Sequence, residues 1–127
     1  MSIEENKAAI RRLFEAIGTG NIDVLNELLI PNREALENGI TAFRAAFPNA
    51  KLLVEQLFAE DDKVVCHVTV SGKHQKEWLG AASTGKEITW TASLITRFDD
   101  GKMVELWAIR DELSMMQQLC IIPAIGG

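Results

Sequence analysis

The stretch KEITWTASLITRFDDGKMVELWAIRD, Lys86 to Asp111, decides the fold. It consists of two runs rich in β-branched and aromatic residues, joined by Asp99-Asp100-Gly101. That turn sequence tolerates the positive φ angles a tight hairpin needs. Lys86 to Phe98 reads as a long, Thr-rich strand, and Lys102 to Asp111 as its antiparallel partner. A period of two puts Met103, Glu105, Trp107, Ile109 and Asp111 on one face of the second strand. Where that face lines an interior, Trp107 and Ile109 become the apolar neighbours of Asp111. Val104, Leu106 and Ala108 fall on the other face, an apolar surface that needs cover and so predicts a dimer through the sheet.

Upstream of this hairpin, Lys63 to Gly72 alternates Val64, Cys66, Val68 and Val70 with His67, Thr69 and Ser71, a third strand. Lys51 to Ala59 is a fourth, joined to it by the turn Glu60-Asp61-Asp62. Before Pro48 the period becomes helical. Ser2 and Glu5 fit a capping box ahead of Ile10, Leu13, Phe14 and Ile17, and Gly18 and Gly20 end that helix. Asn21 can cap a short second helix carrying Val24, Leu25, Leu28 and Leu29, stopped by Pro31. A third runs from Glu34 to Phe47 with Leu36, Ile40, Phe43 and Phe47 on one face, and Pro48 closes it. Gly39 weakens it by about 1 kcal/mol. Downstream, Leu113 to Leu119 reads as a short helix. Helices followed by four antiparallel strands define an α+β fold, with the helices covering one face of a curved sheet and leaving room for a conical pocket. Residues 1–120 form the domain and 121–127 a loose tail.

Composition narrows the function. The 127 residues are 47% apolar and 24% charged, with net charge −5. This is one globular domain, neither disordered nor fibrous. The thirteen Lys and Arg are scattered, so no nucleic-acid partner is expected. Lys73-His74-Gln75-Lys76 reads as a solvated loop. Apolar runs are too short to cross a membrane. Cys66 and Cys120 both read as small core residues in a reducing compartment, and MSIEENKAAI is no signal peptide, so a cytoplasmic protein is expected. Two His and two Cys, well separated, give no zinc spacing. Phosphate-loop and nucleophile-elbow motifs are absent, and the chain has no tyrosine.

Three clusters carry a resemblance. They are Ala46-Phe47-Pro48-Asn49; Gly72-Lys73-His74 with Gly80 and Ser83-Thr84-Gly85-Lys86; and Arg97-Phe98-Asp99-Asp100-Gly101-Lys102 with Glu105, Trp107 and Asp111. In order and spacing they resemble the SnoaL-like polyketide cyclase family, from Lys7 to Leu119. The resemblance implies the cone-shaped α+β fold of the nuclear transport factor 2-like superfamily and sheet-to-sheet homodimers. It also implies cofactor-free chemistry, in which one Asp closes a ring by intramolecular aldol condensation. The matching position is Asp111. The lack of tyrosine excludes the Tyr-based oxyanion hole of ketosteroid isomerases, which share the superfamily fold. Two departures from the family stand out. Leu106 replaces a His before the last-strand Trp. Only fifteen residues, none of them His, separate Pro31 from Phe47.

Each candidate residue has two readings. Asp111 is either an acid/base, its pKa lifted in an apolar pocket, or the N-cap of the following helix. His74 either orients a substrate carbonyl or is a hydrogen-bonded loop-end residue. His67 faces pocket, dimer or solvent. Arg97 pairs with Asp99 or Asp111. Trp78 and Trp90 are core or pocket wall or else a stacking platform, and Glu105 is a second carboxylate or belongs to the surface or an interface. The substrate site would comprise His74, Trp78, Trp90, Trp107 and Ile109 around Asp111. The ligand would be a small hydrophobic or carbonyl-containing molecule, either turned over or simply bound.

Overall fold

The computed structural model describes residues 2–21, 23–28 and 33–122. Helix α1 (Ile3–Thr19) starts where Ser2 Oγ accepts from the Glu5 N–H at 3.1 Å, and ends at Gly20 with φ +79°. Helix α2 spans Val24–Leu28 and helix α3 spans Arg33–Ala46. Leu29, Pro31 and the tail beyond Ile122 lie outside the described residues. The Arg44 guanidinium on α3 donates to the Ile17 and Gly18 carbonyls, so a cation sits on the negative end of α1.

Strands β1 (Lys51–Glu60), β2 (Lys63–Lys73), β3 (Glu87–Asp99) and β4 (Lys102–Arg110) form one antiparallel sheet in chain order. The β3–β4 hairpin turns through Asp100 at φ +50° and Gly101 at φ +77°. Helix α4 (Glu112–Gln118) follows. Because β4 ends at Arg110, the Thr89 end of β3, paired to Ser71 of β2 on one side, has no β4 partner on the other. The Gln118 side-chain amide takes that place, accepting from the Thr89 N–H at 3.0 Å and donating to its C=O at 2.7 Å.

The even-numbered residues of β2 and β3 are buried under α1 and α3. Val64, Cys66, Val68 and Val70 pack with Ile88, Trp90, Leu94 and Phe98. Gly72 continues this row, where a Cβ would meet the Phe47 Cβ at 3.2 Å and the Ala50 Cα at 3.3 Å. The turn after α3 therefore rests directly on the strand.

Both edge strands bulge. In β1 the pairing skips Glu55, between Val54↔Val68 and Gln56↔His67. In β4 it skips Val104, between Met103↔Phe98 and Glu105↔Arg97. An extra residue bends a strand and reverses its side-chain phase. This corrects the face read from simple alternation. Met103 is buried toward the helices, whereas Trp107 and Ile109 lie on the outer face, 51% and 64% exposed. Leu106 and Ala108, paired with Thr96 and Leu94, face the helices. The apolar outer face is instead built by Leu53, Phe58, Val65, Trp107 and Ile109.

Three further expectations are revised. Cys66 is buried, but Cys120 is exposed, because it takes φ +61° just after Leu119 closes α4 into the core. His74 is fully buried, while its neighbours Lys73, Gln75 and Lys76 are exposed. Arg97 pairs with Glu105, opposite it across the hairpin, at 2.7 Å, and more distantly with Asp62 at 3.9 Å. Among the described residues no helix is long and apolar enough to cross a membrane.

A candidate ligand cavity between sheet and helices

Bending the sheet around α1 and α3 leaves a cavity of about 340 Å³. Ile17, Ile40 and Phe43 from the helices and Val68, Val70 and Trp90 from the sheet form much of its wall, and Trp78 from the β2–β3 connection completes it. Gly39 leaves its helical side open, since a Cβ there would have no heavy atom within 4 Å. The apolar wall follows from the sequence, because it is built from the core faces of α3 and β2.

The wall is aromatic and well ordered by edge contacts. Phe43 meets Trp78 at 6.0 Å and Trp90 at 6.1 Å, both close to perpendicular. Phe47 lies behind them, 5.6 Å from Trp78 and 5.0 Å from Trp90. Such tilted and edge-to-face pairs stabilise the rings beyond simple burial. Trp78 itself is held by a two-way backbone pairing with Ala81.

Among the described residues Arg110 is the one ionisable residue lining the cavity. Its guanidinium carbon lies 5.0 Å from the Trp78 ring centre, and its Nε donates to Glu112 Oε1 at 3.0 Å. Sequence reasoning passed over it, because the assumed phase of β4 turned it away from the interior. The phase reversal at Val104 puts it there.

Trp78 and Trp90 come together in the cavity wall. Trp107 and Ile109 do not join them. Asp111 is exposed at the start of α4, where its Oδ1 accepts from the Ser114 N–H at 3.0 Å. Its own N–H still donates to the Thr91 C=O at 3.0 Å, so it is at once the last residue paired to β3 and the cap of the helix. His74 lies behind the wall, tilted against Phe47 at 5.7 Å. Its Nδ1 accepts from the Thr84 N–H at 3.2 Å and meets the Thr84 hydroxyl at 2.9 Å, which assigns the ring proton to Nε2. Nε2 and the Trp78 Nε1 are buried donors without an acceptor among the described residues. His67 bonds Ser93 at 3.0 Å on the outer face.

The resolved pKa shifts lie away from the cavity's polar end. Burial pushes the Cys66 thiol up, and Arg11 pulls it partly back. Asp62 is lowered, chiefly by its hydrogen bond from Lys63, and Arg97 is raised, chiefly by its bond to Glu105.

With fold and cavity described, the relatives can be placed. The sequence model of the SnoaL-like polyketide cyclase family matches residues 8–119. The chain belongs to that family. AclR from Streptomyces galilaeus, described as a candidate hydroxylase, superposes with a TM-score of 0.88 at 25% identity, over 98% of this chain and 86% of its own. IdmH from Streptomyces antibioticus, a candidate polyketide cyclase, gives 0.80 at 26% identity, over 91% and 98%. A candidate SnoaL-like cyclase from Jannaschia sp. CCS1 gives 0.86 at 21% identity, over 97% of each chain, and bears on the fold alone. No curated protein sequence matches the chain.

Proposed function

We propose that this chain binds a small, apolar, ring-containing molecule in the cavity between its sheet and helices. The observation that carries this reading is a cavity of about 340 Å³ with aromatic and aliphatic walls in a chain of the SnoaL-like family. That volume suits one small ligand, and apolar walls with a few polar groups are the usual make-up of such sites. The fluorescent amine N-phenyl-1-naphthylamine tests it. The wild type is expected to enhance its emission saturably. Gly39→Leu, which adds a side chain into open space on the helical wall, is expected to weaken binding at least tenfold. Equal binding by both proteins would place the probe elsewhere and sink the reading.

The second reading is catalysis of the cyclase type, with Asp111 as acid and base. Its support is positional. Asp111 directly follows Arg110, the final residue of the last strand, at the position where the family resemblance puts the acid. Ring closure by an aldol step needs a proton taken from a carbon between two carbonyls and one returned to the new alkoxide. Asp111 would have to leave Ser114 and turn inward on substrate binding. Turnover of a poly-β-keto ester by the wild type, lost in Asp111→Asn, is the expected outcome. Equal turnover by the two proteins would remove Asp111 from the mechanism.

The outer face of the sheet is proposed to pair with a second copy. It carries Leu53, Phe58, Trp107 and Ile109 well exposed, interleaved with the Arg97–Glu105 and His67–Ser93 pairs. Light scattering on a sizing column is expected to give twice the chain mass.

A further inference from the structure

Resting on the reading of the cavity as a ligand site, we propose that Arg110 sets its specificity. The ligand it takes is an apolar ring system bearing an anionic oxygen, which sits at the cavity mouth on the Arg110 guanidinium.

Among the described residues Arg110 is the only one lining the cavity that carries charge. Two contacts restrain its guanidinium. The guanidinium carbon lies over the Trp78 ring, 5.0 Å from its centre, and Nε donates to Glu112 Oε1 at 3.0 Å. The two terminal nitrogens have no acceptor among the described residues. A planar fork held on an aromatic face and tied at Nε offers its remaining donors in a fixed direction, the geometry that recognises carboxylate-like oxygens. The other cavity walls are aliphatic and aromatic, which lowers the local dielectric and strengthens an ion pair there relative to open surface. Among the described residues no carboxylate lines the cavity to repel an anion. Glu112 offsets part of the charge. The side chain is 40% exposed, so the expected discrimination is modest.

The test uses 2-naphthoate and 2-naphthamide at pH 7.5, two ring-matched probes that differ in charge, titrated by calorimetry. The wild type is expected to bind the naphthoate about fivefold more tightly, as a partly exposed charge-assisted contact allows. High salt should shrink that preference. Arg110→Met keeps an apolar stem over Trp78. It is expected to lose the preference, binding the two probes within about twofold of each other. Glu112→Gln, at an exposed position, removes the offsetting charge and is expected to widen the preference. An amide bound as well as the naphthoate by the wild type overturns the assignment to Arg110 and leaves the cavity reading intact. So does a preference unchanged in Arg110→Met or in Glu112→Gln. Failure of the wild type to bind either probe overturns both.

Discussion

Asp111 accepts from the Ser114 N–H, while Arg110, one residue earlier, lines the cavity. These neighbours set the predictions at the scale of single residues. Asp111→Ala leaves an N-terminal amide of α4 without its side-chain acceptor and is expected to cost about 1 kcal/mol in urea unfolding. Asn caps as well as Asp, so Asp111→Asn should fall within a few tenths of wild type. A large loss of stability in Asp111→Asn would mean the carboxylate does more than cap. Gly39→Ala places a methyl in open space on α3 and removes a glycine from a helix interior. It should stabilise the protein by about 1 kcal/mol, measured by the same unfolding curves. The two thiols should separate cleanly. At neutral pH a brief iodoacetamide pulse followed by mass spectrometry is expected to label exposed Cys120 and spare buried Cys66. Burial raises the Cys66 thiol above its unfolded value. The unfolded chain therefore ionises first, and stability is lost as pH rises beyond about 8.5. Cys66→Ala should flatten that alkaline limb.

At the scale of the element, the edge strands decide how much of the site the sequence could reveal. All four strands and the described helices were legible, the helices and the central strands from periodicity and the edge strands from their composition and the turns that bound them. The core faces of α3 and β2, which became cavity wall, were legible too, but as core rather than as cavity. What was not legible was Val104. A bulge residue carries no sequence mark in a strand that is apolar on both sides, and KMVELWAIR alternates no better in one phase than in the other. One skipped residue moved Trp107 and Ile109 outward and brought Leu106, Ala108 and Arg110 inward. Deleting Val104 takes out only the unpaired residue and leaves Met103 and Glu105 opposite Phe98 and Arg97, so every side chain from Glu105 to Arg110 keeps its face. The deletion is therefore expected to fold and to lose only a minor part of its stability in urea unfolding, because a local bend is removed and no buried side chain is exposed. A deletion variant that fails to fold would show that the strand needs the bend as well as the phase. His74 was legible as a bonded loop-end residue. Its complete burial was not, because the closure of the β2–β3 connection over it depends on Thr84, ten positions away.

At the scale of the whole molecule, the sheet is apolar on both faces and the two faces have different expected fates. The concave face is covered by α1 and α3 except where the cone opens. The convex face is open along Leu53, Phe58, Trp107 and Ile109. Trp107→Glu should leave the fold intact, since half of that side chain is already exposed, and should convert the expected dimer to a monomer on a sizing column. The three tryptophans report separately on the concave side. Trp78 and Trp90 stand in the cavity wall, and Trp107 stands on the opposite face. The most direct measurement is the set of three indole N–H signals in a ¹⁵N-labelled sample titrated with 2-naphthoate. The Trp78 and Trp90 signals are expected to shift together and saturably, with Trp107 unmoved. A shift confined to Trp107, or no saturable shift in any of the three, would contradict the cavity as the binding site.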